Sequence, residues 1–339
     1  MKLVIIILAL NEEKTIGDVI RRTPRDIEGI AATEAIVIDD GSTDRTAELA
    51  RAAGAQVISH HSNLGVGAAL ATGMDAALRR GADIIVNMDG DGQFNPEDIP
   101  ALIEPIRRGY GFATCTRFAR PELVPEMRRA NRWGNRMMCR LINWIIWGAN
   151  FTDVSCGFRA YSRDTALQLN LFGRFSYTQE MFIDLAGKDI RMTEVPLRVR
   201  GVREFGRSRV AGNLCRYANR AITIILRAMR DTRPLKFFGG IGLSVVMIGV
   251  VLGLIVFGFW LATRRTDPVK SLLIGSSVFL TLGFLLCTVA LMADMIGRLR
   301  KTLEDIRYTL RRIEYGDLPA NLPGAQAGKR ADEKRPPPE

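Results

Sequence analysis

Two carboxylates separated by one glycine, at the end of an apolar run, are the strongest chemical signal in this chain. Residues Ile84–Phe94 read I-I-V-N-M-D-G-D-G-Q-F, so Asp89 and Asp91 leave a buried strand together. Gly90 and Gly92 let the backbone turn and leave room beside the two acids. Hard oxygen ligands at this density suit Mg²⁺ or Mn²⁺, which take one or two carboxylates plus substrate phosphates. Gln93 offers a third oxygen. An isolated D-G-D is also an ordinary turn after a strand. Two further acidic clusters shift the balance.

Ala35–Asp44 (A-I-V-I-D-D-G-S-T-D) is again a β-branched run, ending in Asp39 and Asp40. Leu3–Leu10 is a third, and it ends in Asn11, Glu12 and Glu13. A helical pattern follows each of the three, at Lys14–Arg22, Thr46–Ala53 and Pro96–Arg108. Strands without polar alternation, separated by helices, predict an α/β, Rossmann-like, mostly parallel sheet with helices on both faces. Ligands of such sheets bind beyond the carboxyl ends of the strands. Glu12, Asp39, Asp40, Asp89 and Asp91 are therefore expected on one rim.

The motifs L-A-L-N-E-E, V-I-D-D-G-S-T-D, N-L-G-V-G-A-A and D-G-D-G-Q resemble the nucleotide-sugar half of family 2 inverting glycosyltransferases with the GT-A fold. Asp153–Arg159 (D-V-S-C-G-F-R), Gln179-Glu180 and Gly206–Arg209 (G-R-S-R) resemble the polyprenyl-phosphate branch, which includes dolichol-phosphate mannose synthases. The resemblance covers residues 1–212. It implies a nucleotide-sugar site at Leu8, Leu10, Glu12, Asp39, Gly67, Asp89, Gly90, Asp91 and Glu180, with Mg²⁺ or Mn²⁺ on Asp89, Asp91 and Gln93. It offers Asp153 as a base or positioning acid; a structural acid paired with Arg159 is the other reading. Three departures stand out. Leu8 and Leu10 replace a frequent Pro and Tyr, the helix from Arg128 lacks a Ser seen in some relatives, and Arg209 replaces a Lys.

A phosphate monoester acceptor has a second pKa near ~6, so it is largely ionised at neutral pH and needs cations more than a base. Guanidinium forks match its oxygens bidentately. Arg117, Arg129, Arg132 and Arg203 are the natural candidates, with Ser208 beside them; Arg117, Arg203 and Asp153 are the residues expected to carry catalysis.

Phe237–Thr263 and Ser271–Ala293 contain no charged residue, and both exceed the ~20 apolar residues that cross a bilayer core. They predict a two-helix transmembrane hairpin after a juxtamembrane segment, 213–236. The basic remainder, 294–339, ends in a Pro-, Ala- and Gly-rich stretch expected to be disordered. Cations dominate both flanks, including Arg227, Arg230 and Lys236 before the first span and Arg298, Arg300 and Lys301 after the second. The turn holds Arg264, Arg265 and Lys270 against Asp267, so both termini are expected on the cytoplasmic side. The short N-terminal apolar run ends in Asn-Glu-Glu and does not read as a secretory signal. Gly249 and Gly253 form a small-residue spacing that can pack helices.

The helix expected over Pro125–Gly148 places Arg129, Arg132, Arg136 and Arg140 on one face beside Trp133, Met137, Leu141 and Trp144. That pattern suits either a membrane interface or a surface helix packed on the domain. A net charge of +11 invites nucleic acid, anionic lipid or phosphorylated substrate as partners. The arginines cluster on that helix, at Arg198–Arg209 and beside the spans, with no nucleic-acid motif, which favours lipid and phosphate. Cys115, Cys139, Cys156, Cys215 and Cys287 lack metal or disulfide spacing, and His60 and His61 read as loop residues.

The expected protein is thus a membrane-bound transferase moving one sugar from a UDP- or GDP-hexose to a dolichyl or undecaprenyl phosphate, with a homo-oligomer left open. A processive polysaccharide synthase is disfavoured because Arg129 stands where Q-x-x-R-W needs its Gln. A non-catalytic nucleotide-binding scaffold has no need of the D-G-D-G-Q cradle.

Overall fold

The computed structural model describes residues 1–127, 129–146, 148–169, 178–201 and 234–316. They fall into two compact units, Met1–Tyr217 with Ile306–Glu339, and Ala218–Asp305.

The first unit is built on seven strands: β1 (Lys2–Ala9), β2 (Ala32–Asp39), β3 (Gln56–Ser59), β4 (Ile84–Asp89), β5 (Phe112–Thr116), β6 (Arg159–Ser162) and β7 (Met192–Pro196). Their order is β3-β2-β1-β4-β6-β5-β7. All neighbours run parallel except β6, which is antiparallel to both β4 and β5. The mostly parallel sheet expected from the apolar runs is present. Its helices are α1 (Ile16–Arg22), α2 (Thr46–Ala52), α3 (Val66–Arg79), α4 (Ile99–Arg107), α5 (Arg129–Ile145), α6 (Arg163–Gln168) and α7 (Thr178–Gly187).

Every residue from Leu3 to Ile7 is fully buried, because β1 is covered on both faces. Ile5 and Ile7 pack with Val86 and Met88 against Ile16, Ile20, Ile99 and Leu102 of α1 and α4. The other face meets α3, where a Cβ on Gly73 would stand 2.5 Å from Ile6 Cγ2. The sequence order on either side of β1 reverses between β1 and β4, which opens the crevice where such sheets bind ligands.

The helix boundaries differ from expectation at their polar ends. The helix expected from Lys14 begins at Ile16, after Glu12 O has accepted the Thr15 and Ile16 amides. Pro96–Asp98 is a 3₁₀ turn ahead of α4, and α5 is shorter than Pro125–Gly148 at both ends.

In the second unit, α8 (Pro234–Thr263) and α9 (Lys270–Glu314) are long and apolar enough to cross a bilayer. They pack through glycine. A Cβ on Gly249 would lie 2.9 Å from Leu280 N, and Ser276 Oγ donates to Gly249 O at 2.8 Å. The Gly249/Gly253 spacing is therefore a seam inside the hairpin.

Helix α9 runs well beyond the apolar stretch that ends at Ala293. Pairs at i, i+4, Asp294–Arg298 and Arg300–Glu304, support its polar continuation. Its last turns belong to the first unit. Arg311 Nη1 donates to the carbonyls of Leu167 and Leu169, at 3.2 and 3.1 Å, at the C-terminal end of α6. Tyr315 Oη donates to Asp75 at 2.5 Å, Arg79 pairs with Glu314 at 2.6 Å, and Arg163 Nη2 donates to Tyr315 O at 2.8 Å. These contacts lie beside the start of β4, where Ser162 pairs with Ile84, at the sheet edge opposite Asp89. Part of the stretch expected to be a basic flank is thus a folded strap. Arg311→Ala is expected to cost about 1–3 kcal/mol, the range for leaving buried acceptors unsatisfied, and to lower the thermal unfolding midpoint. An unchanged midpoint would show that the strap carries no stability.

Candidate active site

The parallel register brings the acids together. Ala9 pairs with Asp39 across β1 and β2, and Leu8 pairs with Asp89 across β1 and β4. Three strand ends thus meet at the crevice, and the chain beyond each one is tied to its neighbours. Asn11 takes a left-handed conformation (φ 54°), donates its amide to Ser42 Oγ at 2.9 Å and accepts the Thr43 amide at 2.8 Å. The Glu12 amide donates to Thr46 Oγ1 at 2.8 Å. Gly41 has φ +75°, and a Cβ there would stand 2.6 Å from the Ser62 backbone, so only glycine lets these two loops touch.

Asp39 and Asp40 are each 4% exposed but are used differently. Asp39 Oδ1 accepts the Ser42 amide at 3.0 Å. Asp40 organises the loop into α3: it accepts the Leu64 and Gly65 amides at 3.0 and 2.8 Å and pairs with His60 Nδ1 at 2.7 Å. His60 Nε2 reaches Thr72 Oγ1 at 3.0 Å, so this loop histidine is a half-buried strut. Gly67, in the first turn of α3, is buried behind that loop.

The Asp89–Asp91 turn is held from below. Its Gly90 amide donates to Leu8 O at 2.8 Å, and Gly90 O accepts Thr15 Oγ1 at 2.7 Å. Leu8 is 6% exposed and its carbonyl holds the Gly90 amide beneath the turn; Leu10, half-buried, keeps an accessible side chain. Asp91 is 3% exposed, with Oδ1 accepting the Gln93 amide at 3.0 Å. Gln93 Nε2 donates to Arg200 O at 3.0 Å, which ties this side chain to the segment after β7. A Cβ on Gly157 would approach Asp89 Oδ2 to 3.2 Å, so a glycine leaves the space beside this carboxylate. Among the described residues no cluster of three or more His, Cys, Asp or Glu could hold a metal. Two carboxylates that need phosphate oxygens to complete a shell fit Mg²⁺ or Mn²⁺ and not a closed protein cage.

Because β6 runs backwards, its start reaches the same rim as the ends of β4 and β5, and the segment before it carries Asp153. This acid is wholly buried and forms a bidentate pair with Arg117, Nε to Oδ2 at 2.6 Å and Nη2 to Oδ1 at 3.0 Å. Burial opposes the charge on Arg117, and the Asp153 carboxylate outweighs it, so the guanidinium pKa is raised. The alternative partner, Arg159, lies elsewhere: it is fully buried, donates to Cys156 O at 2.8 Å and sits between the Phe112 and Phe182 rings. Glu194 accepts the Thr152 amide at 2.8 Å, the Asp153 amide at 2.8 Å and the Thr152 hydroxyl at 2.8 Å. Burial pushes its pKa up, and the bonds from Asp153 and Thr152 offset part of that rise.

On α5, Arg132, Arg136 and Arg140 are exposed beside Trp133 (56%) and Trp144 (65%), while Asn135, Met138, Cys139 and Ile142 are buried. Arg129 opens this helix, and Glu180 lies in the first turn of α7. Arg203 and Ser208 lie outside the described residues. The sequence reading places Asp40 on the rim and includes Ser155 only within the Asp153–Arg159 motif; it misses Asn135 and Glu194. Neither of these two carries a local signal, because both act through bonds to residues distant in sequence.

Residues 4–168 match the family described as Glycosyl transferase family 2. Glycosyltransferase AglJ of Haloferax volcanii is 30% identical over 86% of this chain and 92% of its own. The chain belongs to glycosyl transferase family 2. Another family relative, a dolichyl-phosphate hexose transferase of Haloferax volcanii, is 31% identical over 58% of this chain and 82% of its own. The fold is that of the GT-A family enzymes. Glucosyl-3-phosphoglycerate synthase from Mycobacterium tuberculosis, solved with Mn²⁺, UDP-glucose and phosphoglyceric acid, superposes with a TM-score of 0.52. That likeness covers 67% of this chain and 79% of the solved one, at 25% identity. In this family 2 chain, Asp39, Asp89 and Asp91 thus occupy the rim of a GT-A sheet.

Proposed function

We propose that this protein transfers a single hexose, with inversion, from a UDP- or GDP-sugar to a polyprenyl phosphate at the cytoplasmic face of a membrane. The observation that carries the proposal is the convergence at one rim of Asp39, Asp89 and Asp91 with the buried Arg117–Asp153 pair, in a chain that also has two bilayer-length helices. The named dolichyl-phosphate hexose transferase relative points to the same acceptor class. Residues 1–212 form the catalytic part in this reading, 213–236 the approach to the membrane, 237–293 the hairpin and 294–339 the cytoplasmic remainder.

Asp39 meets the nucleotide at the end of β2. Asp89 and Asp91 hold a divalent cation, which when bound neutralises the departing diphosphate as a Lewis acid. Arg117 presents its plane in a fixed orientation because Asp153 grips Nε and Nη2. Among the described residues its Nη1 has no hydrogen-bond partner, and that edge is the one to receive an acceptor oxygen. Arg203 and Ser208 complete the acceptor set. Asp153 acts as a positioning acid, since a phosphate monoester needs little help losing its proton. The arginine and tryptophan face of α5 suits an anionic membrane surface, where charge meets head groups and the indoles lie at the interface.

The test uses the full chain in sealed vesicles with radiolabelled nucleotide-sugars. Inside-out vesicles should move label into the extracted lipid phase, and right-side-out vesicles should not. Label found in water-soluble polymer, or transfer only from the outer face, would reject this reading.

A further inference from the structure

Helix α5 reaches the Asp153 segment through two asparagines. Asn143 makes a reciprocal pair with Phe151, donating Nδ2 to its carbonyl at 2.9 Å and accepting its amide at 2.9 Å. Asn135, 7% exposed, donates Nδ2 to Thr152 O at 3.3 Å and accepts the Ser155 hydroxyl at 2.9 Å. Ser155 Oγ also lies 2.9 Å from Asp153 Oδ1 and accepts Arg117 Nη2 at 2.8 Å. On the other side, Glu194 clamps the Thr152 and Asp153 amides. The Phe151–Ser155 stretch is therefore bolted between β7 and α5, and its centre is the Arg117–Asp153 pair.

Adhesion of α5 does not require these amides, because Met138, Cys139 and Ile142 already bury an apolar face. What the amides add is register. Apolar contacts tolerate a small slide of the helix, whereas hydrogen bonds in a dry setting hold one geometry. A displacement of α5 must then move Ser155 and, through it, the acid and the guanidinium.

We propose that Asn135 and Asn143 are positioning residues that couple α5 to the Arg117–Asp153 pair, so that a lipid phosphate docking at the arginine face of α5 is registered at the reacting rim. This rests on the reading above, in which Arg117 meets the acceptor. The same bonds predict a specific kinetic pattern. The donor side, held by Asp39, Asp89 and Asp91, should not sense α5.

The experiment compares Asn135→Ala, Asn143→Ala and Ser155→Ala in the full-length protein, with a short-chain polyprenyl phosphate varied at saturating nucleotide-sugar. Acceptor kcat/KM should fall about tenfold, the scale of one lost hydrogen bond and a small misplacement. For the two asparagine variants the donor KM and the slow hydrolysis of nucleotide-sugar by water should stay near wild type, while the unfolding midpoint falls modestly but the protein stays folded. In a Ser155→Ala background, Asn135→Ala should cost less than it does alone, because its Ser155 bond is already lost and only the Thr152 carbonyl contact remains to remove. Full additivity would overturn the linkage. Unchanged acceptor kinetics would overturn it, and so would a parallel loss of donor binding and hydrolysis, or unfolding of all three variants. Absence of lipid-linked label with the unaltered protein would reject the parent reading and this inference with it; wild-type transfer with unchanged variants rejects the inference alone.

Discussion

Asp91→Asn is expected to lower transfer at least about a hundredfold while leaving the fold intact. Neutralising a leaving diphosphate is worth several kcal/mol, and each ~1.4 kcal/mol of lost transition-state stabilisation is tenfold in rate. Asparagine keeps the shape of Asp91 and can still accept the Gln93 amide, so the turn survives with one negative charge gone. Chelation by EDTA should have the same effect on the unaltered protein, and added Mg²⁺ or Mn²⁺ should reverse it. The measurement is initial rate of lipid-linked product against free metal concentration. Undiminished turnover in metal-free buffer would sink the assignment of Asp89 and Asp91 as cation ligands.

Arg117→Ala should be damaging for a reason beyond chemistry. It leaves Asp153, with no exposed side-chain surface, as an uncompensated buried charge. Breaking a buried pair in this way costs about 3–5 kcal/mol, so the thermal unfolding midpoint should fall sharply. Asp153→Asn should be milder in stability, because Arg117 retains 18% side-chain exposure and can reach water. The double variant Arg117→Met/Asp153→Leu is expected to recover much of the stability and none of the transfer, since apolar replacement removes both desolvation penalties. Thermal unfolding and acceptor kinetics on the same four proteins separate the two effects. If Arg117→Ala is as stable as wild type, the pair does not hold the rim. If Asp153→Asn is inactive while Arg117→Ala keeps normal acceptor efficiency, Asp153 is a base and not a positioning acid.

The rim of strand-end acids was legible in the sequence because it is local. Asp39 and Asp89 each end an apolar run, and parallel pairing alone carries both to one edge. The hairpin was legible for a similar reason: a span long enough for a bilayer is a property of consecutive residues. The Arg117–Asp153 side of the rim was only partly legible. Asp153 was visible as a motif, but the structural partner suggested by the sequence was Arg159, whereas the acid pairs with Arg117, because β6 runs antiparallel between β4 and β5. Asn135 and Glu194 carried no signal, since their meaning lies in bonds to residues 17 to 42 positions away. The polar end of α9 was read from its charges as a membrane flank, yet Arg311 and Glu314 are spent on carbonyls and a guanidinium of the same unit.

The reversed strand also limits how this enzyme can diversify. Residues 151–158 enter β6 directly, and Asn87, Asn135, Asn143 and Glu194 each grip the stretch at a fixed position. One inserted residue would shift Phe158 against Cys115, whose amide it now accepts at 2.9 Å, and would turn the faces of the strand over. Length variation is therefore excluded from the segment that holds Asp153. If α5 meets the acceptor as proposed, new acceptor preferences are expected at its exposed face and not at this core, much as a keyhole is recut while the lock body stays the same.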